Sequence, residues 1–200
     1  MYQIIIEHSG LSLGEIEVIN NLFSDYATYE KTLDNDFEYA SILELEFIKD
    51  KEISFFDFIS IEKWTFLIEI IKNIKKRRGK KGLRFKITIT DVYRPVNNDD
   101  DDDNDNDRYS IFSKTLFLLN HKNDLDFIKG LERIEITIEN IVEIYEVQKM
   151  KEEQKTNNKS TKDKVQNKAE INEEDSMFFV FDEIARKWIR ITNKATAKKK

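Results

Sequence analysis

Nine cations crowd one short segment: Lys72, Lys75, Lys76, Arg77, Arg78, Lys80, Lys81, Arg84 and Lys86, with no acid between Lys72 and Lys86. Such a run is the electrostatic footprint of a surface for an anionic partner, nucleic acid or an acidic protein. The competing explanation is structural. Cations near a helix C-terminus are favoured by the helix dipole, by about 0.3–1 kcal/mol each. That accounts for three or four of them; further like charges repel. The nine together are the candidate anion-binding residues.

Other chemistry-bearing patterns fail at particular positions. Gly79-Lys80-Lys81-Gly82 resembles the Gly-x-x-Gly loop with which KH domains clamp a nucleic-acid backbone, but that loop joins two helices and here a strand follows. Ser54-Phe55-Phe56-Asp57-Phe58-Ile59 resembles the aromatic strand of RRM domains, without its basic residue and Gly, so core packing of Phe56 and Phe58 is the better account. Asp101, Asp103 and Asp105 have the alternate spacing of an EF-hand loop, yet Asn106 replaces the Gly and Phe112 the final Glu. Asp57, Glu44/Glu46 and Asp182/Glu183 are carboxylates that a solvated strand or turn would equally carry. His8 and His121 alone cannot build a His-rich metal site. No phosphate-binding loop, dinucleotide fingerprint, serine elbow or His-Glu-x-x-His is present. No cofactor and no metal are expected, and an enzyme is the less favoured class.

The totals narrow the class. The 200 residues carry 33 Lys+Arg against 39 Asp+Glu, a net charge of −6, and no Cys, which removes disulfides and thiolate chemistry. The seven Asp of Asp99–Asp107 outweigh that entire net charge. A 40% apolar content suffices for a real core. No run approaches the roughly 18–20 apolar residues of a membrane span, and Met1–Glu7 lacks a signal-peptide pattern. A cytoplasmic, soluble chain is expected.

The elements that must position these residues follow from periodicity. Tyr2–His8 reads as a strand. Ser12 and Glu15 match a capping box, opening a helix to about Lys31. Phe37–Phe47 alternates as a strand with Glu38, Glu44 and Glu46 on its wet face. Ile53–Phe58 reads as a strand, and Ser60 caps a helix ending near Arg78–Gly79. Leu83, Phe85, Ile87 and Ile89 alternate with Arg84, Lys86, Thr88 and Thr90. The order β-α-β-β-α-β predicts an α+β fold: an antiparallel sheet with two helices on one face, ferredoxin-like in its N-terminal part and extended by C-terminal strands.

Tyr109–Leu119 reads as a strand paired with Leu83–Asp91. Asp124–Leu131 reads as a short helix, and Ile134, Ile136 and Ile138 as a strand continuing through Tyr145 and Val147. Residues 1–147 are thus expected to form one domain, interrupted by an open acidic loop over 95–107. Residues 148–175, with seven basic and seven acidic side chains, read as a disordered charged linker. Residues 176–193 form a hairpin packing back on the domain, and 194–200 a basic tail. The expected function is binding through residues 72–86, with the acidic loop folding back to compete for them. The alternatives are an enzyme with an acid-lined pocket and a passive assembly subunit with an apolar patch near Trp188.

Overall fold

The computed structural model describes residues 2–34, 37–93, 109–141 and 176–191. The acidic loop 95–107, the linker 148–175 and the tail 194–200 lie outside them. The elements are β1 (Gln3–Ser9), α1 (Leu13–Leu22), β2 (Ala27–Thr32), β3 (Ser41–Asp50), α2 (Phe55–Phe58), α3 (Ile61–Arg77), β4 (Leu83–Tyr93), β5 (Ser110–Leu119), α4 (Asp124–Glu132), β6 (Ser176–Asp182) and β7 (Lys187–Ile191). A 3-10 turn (Gly79–Lys81) precedes β4, and residues 134–141 are again helical.

The seven strands form one sheet in the order β2-β1-β3-β4-β5-β6-β7. It is mixed, where an antiparallel sheet was expected. β1/β2, β3/β4 and β5/β6 pair parallel; β1/β3, β4/β5 and β6/β7 pair antiparallel. The fold is α+β, and the ferredoxin-like order is not what these pairings make. The reason is β2. The spacing that predicts a helix to Lys31 ends at Leu22, where Phe23 caps α1 and the chain turns back as a strand beside β1. β2 is exposed along its whole length, so burial imprints no alternation on it. The result is three strand–helix–strand crossovers tied edge to edge.

Two other readings change because two periods fit the same residues. Phe55 and Phe58 stand three apart and are both buried, and Ser54 Oγ accepts from Asp57 N–H at 3.1 Å. The segment expected as a strand is therefore a capped helical turn, α2. Ile134, Ile138 and Ile141 are buried while Ile136 is 58% exposed. That i, i+4, i+7 set is a helix face, where alternation predicts a strand.

All the described helices lie on one face. Ile4, Ile6, Leu45, Phe47, Phe85, Ile87, Phe117 and Leu119 point into a core shared with Ile19, Trp64, Ile71 and Phe127 of the helices, and α3 packs against both α1 and α4. β1→β2 and β3→β4 are related by a half-turn about the sheet normal, so they share a hand.

At one end of the core Phe47, Phe55, Phe58 and Trp64 meet edge to face at 5.3–6.4 Å. At the other, Phe117, Phe179, Phe181 and Trp188 cluster, and the Trp188 indole N–H donates to Gly130 O at 3.1 Å. That bond ties β7 to α4. Gly130 allows it: a Cβ there would lie 2.5 Å from Leu119 Cδ2.

The helical reading of 134–141 has a direct check. Ile138→Lys is expected to cost about 3 kcal/mol or more by burying a charge, whereas Ile136→Lys stays within ~0.5 kcal/mol. Urea unfolding of the two variants separates them; equal losses would mean a strand with both residues on its buried face.

Candidate anion-binding surface

The basic segment crosses three structural settings, and each treats its cations differently. α3 starts at Ser60, whose Oγ accepts from Lys63 N–H at 3.3 Å. Its buried stripe, Trp64, Leu67, Ile68, Ile71 and Ile74, fixes which side of its last turns faces the core. Gly79 and Gly82 then adopt left-handed φ of +55° and +72°, which a side chain would resist. A Cβ on Gly82 would also stand 3.0 Å from Lys75 Nζ.

Two cations of α3 face α4. Lys72 is held at 2.9 Å by both Glu69 and Glu132. Hydrogen bonds to Glu132 and then Glu69 outweigh its partial burial and raise its pKa above the ordinary lysine value. Lys75 is 0% exposed. Its ammonium donates to Lys122 O at 2.8 Å, pairs with Asp124 at 3.1 Å and lies over the Phe127 ring at 5.3 Å. This lysine locks α3 to the loop before α4.

Two more face α1. Arg78 donates to Glu15 and to Ser41 Oγ, and Arg77 approaches Glu15 at 3.6 Å while donating from Nε to Asn73 O at 3.2 Å. Glu15 is 5% exposed. Burial disfavours its charge, but the Ser12 backbone N–H and the Arg78 guanidinium outweigh that and hold its pKa below the ordinary carboxylate value. Glu15 also completes the capping box, with Ser12 N–H donating to it at 2.8 Å and Ser12 Oγ accepting from Glu15 N–H at 3.3 Å.

Arg84 and Lys86 sit on the helix-free face of β4, and both pair with Glu44 of β3, Arg84 at 3.0 Å. Lys76, Lys80 and Lys81 remain. They are exposed at the end of α3 and in the 3-10 turn, and among the described residues no carboxylate pairs with them. Lys122 joins this end from the β5–α4 loop, its Cα 3.8 Å from where a Gly82 Cβ would be. Lys122 also reaches Glu38 at 3.6 Å. Nothing in the linear sequence signals its arrival, since it comes from beyond β5.

Most of the remaining candidates find polar partners, whereas the buried Nδ1 of His121 has no hydrogen-bond partner among the described residues. His8, at the end of β1, meets Glu30 at 3.0 Å, and Asn20 donates to the same carboxylate at 2.9 Å. The His8 and Asn20 bonds lower the pKa of Glu30. His121 stands edge-on to Phe181. Three strand spacings, about 14 Å, keep the two histidines apart. Asp57 caps α2 together with Ser54. Glu46 accepts from Thr90 Oγ1 at 2.7 Å and pairs with Lys114 at 3.1 Å. Asp182 accepts two N–H groups of the β6–β7 turn, and Glu183 is exposed. Among the described residues no group of three or more His, Asp and Glu side chains is placed to hold a metal ion, and no helix is long and apolar enough to cross a membrane.

Comparison with protein-family models, with curated proteins and with solved structures finds no match to this chain.

The acidic connection between β4 and β5 leaves from Tyr93 and re-enters the described structure at Tyr109. The basic turn lies before Leu83, at the opposite end of β4. Eleven residues of strand separate them, about 33 Å at ~3.3 Å per residue. A connection anchored at both ends over 94–108 stands off by at most about 28 Å when fully extended. A fold-back onto the basic segment of the same chain would need the connection drawn out to near its full length and the lysine stems outstretched.

The Glu15 clasp carries a pH signature. Its pKa is depressed in the folded state, so its contribution is full above the ordinary carboxylate pKa and is lost as pH falls through the folded value. Glu15→Gln is expected to lower stability by about 2 kcal/mol at neutral pH, with the difference shrinking as the medium is acidified below ~pH 4. Thermal unfolding of both proteins from pH 7 to pH 3 reads it; a pH-independent difference would remove the ionised clasp.

Proposed function

We propose that this protein acts by binding, without catalytic chemistry of its own, and that its anionic partner, nucleic acid or an acidic protein, docks at the end of the molecule carrying Lys76, Lys80 and Lys81. One observation carries the reading. Of the nine cations in the segment, Lys72, Lys75, Arg77, Arg78, Arg84 and Lys86 have carboxylate partners, whereas these three have none among the described residues. Paired cations contribute little to an external anion. The three lysines project from a turn and a helix end where a polyanion can approach without displacing an internal partner, and Arg77, with a side chain 60% exposed, stands beside them. Polar contacts engage Glu44, Glu46, Asp57, Asp182 and His8, which favours binding over acid–base chemistry at these residues.

Duplex DNA or heparin serves as the probe. With three phosphates contacted on duplex DNA, log K is expected to fall with log salt at a slope of about −2.7. Reversing Lys76, Lys80 and Lys81 to Glu should abolish binding, while Lys72→Gln leaves it within about twofold, because that lysine's charge is already neutralised by two carboxylates. A flat salt dependence, or equal loss in both variants, would sink the proposal.

A second reading, a passive assembly subunit, is favoured by the helix-free face of the sheet. Register places Leu116, Phe178 and Ile191 in one row and Leu118, Val180 and Ile189 in the next, across β5, β6 and β7. Ile189 and Ile191 are 40% and 47% exposed, a small apolar patch on the face opposite to the buried Trp188. Ile189→Ser with Ile191→Ser should weaken any self-association that persists at high salt and leave polyanion binding unchanged. Light scattering in 0.5 M salt measures it.

A further inference from the structure

The opposite ends of β4 carry opposite charge, and one chain brings the two together only with its acidic connection near full extension. At one end stand Lys76, Lys80 and Lys81 without carboxylate partners among the described residues, joined by Arg77 and Lys122. From the other departs the connection 94–108, whose Asp99–Asp107 run holds seven Asp and no base. Its standoff of at most about 28 Å spans the ~33 Å of β4 only at full extension and with the lysine stems reaching out to it, a conformation that costs chain entropy. The screening length at 0.1 M salt is about 10 Å, so attraction through the intervening solvent is also weak within one molecule. The acids recorded at the basic end, Glu15, Asp124 and Glu38, pair with Arg78, Lys75 and Lys122.

A second copy has no such limit. We infer that the basic end docks the Asp99–Asp107 segment of another copy of this chain, giving a salt-sensitive self-association in which the acidic end of one molecule meets the basic end of the next. The charges fit: a run with consecutive carboxylates meets lysines on a turn, with long stems that reach several of them. The contact is heterologous, pairing two different surfaces, so each molecule keeps one donor end and one acceptor end. It also gives the protein a built-in competitor for any other polyanion, because the acidic segment and a phosphate backbone seek the same lysines. This inference rests on the reading of the basic end as an anion site and names its occupant.

Light scattering with size-exclusion chromatography at 20 mM and 500 mM salt tests it on three proteins: the wild type, a variant with Lys76, Lys80 and Lys81 changed to Glu, and a variant with the seven Asp changed to Asn. The wild type is expected to show an average mass at least one and a half times the 23.8 kDa of one chain at low salt, falling to that value at high salt. Each variant alone should stay at the single-chain mass at both salts. Mixing the two variants should restore association, since one keeps the lysines and the other the aspartates; this complementation also shows that both variants are folded. A wild type at single-chain mass at both salts, or variants that associate as the wild type does, or a mixture that fails to associate, would overturn it. Heparin retention of the wild type and of the Lys→Glu variant separates the two levels. Retention of the wild type alone, without salt-sensitive association, leaves the anion site standing and removes the second copy as its occupant; loss of retention as well removes both.

Discussion

The described helices cover this sheet from one side, and much of the structure follows from that. Each of them packs on the same face, which is sealed by Trp64, Ile71, Phe127 and their neighbours, while the other face carries no described helix. A sheet of seven strands with a bare face needs polar ways to close it. Register supplies one. Lys31, Glu7, Glu44 and Lys86 stand in one continuous row across β2, β1, β3 and β4, and Lys31–Glu7 and Lys86–Glu44 pair within it. Two acids placed side by side are each quenched from outside. Beyond β4 the same row turns apolar at Leu118, Val180 and Ile189, so the bare face divides into an ion-paired half and an apolar half.

The same economy governs the basic segment. A linear run of nine cations would repel itself severely if it stayed together. Folding distributes it over α4, α1 and β3, and each of those elements supplies an acid: Glu132 and Asp124, Glu15, and Glu44. These pairs join helix to helix and strand to strand, and at Lys75 and Arg78 they are partly or wholly withdrawn from water, where leaving one partner unpaired is costly. The fold therefore uses most of this charge for its own assembly. Among the described residues, what it does not use is gathered at the end where β4 begins. The molecule is mildly acidic in sum.

Local patterns were legible wherever a residue's neighbours in sequence are also its neighbours in space. Ser12 with Glu15, and Ser60, mark the helix starts expected of them, and the alternation of Leu83–Thr90 is the alternation of β4. The β4/β5 pairing and the short helix after β5 follow the expected order. Legibility failed where two periods coincide, as at Ile134–Ile138 and Phe55–Phe58, since apolar residues satisfy both until a partner surface selects one. It failed again at β2, which buries too little to imprint any pattern.

The sequence by itself determined the elements with strong periodicity, the caps, the presence of a core and the excess of positive charge between Lys72 and Lys86, because these depend on contacts within a few residues. Only the tertiary structure decided that the sheet is mixed, that β2 lies beside β1, and which cations are spent. Strand order and ion pairing join residues such as Arg78 and Glu15, or Lys72 and Glu132, that lie far apart along the chain. Their distance is fixed by how the crossovers stack, and no local spacing encodes it.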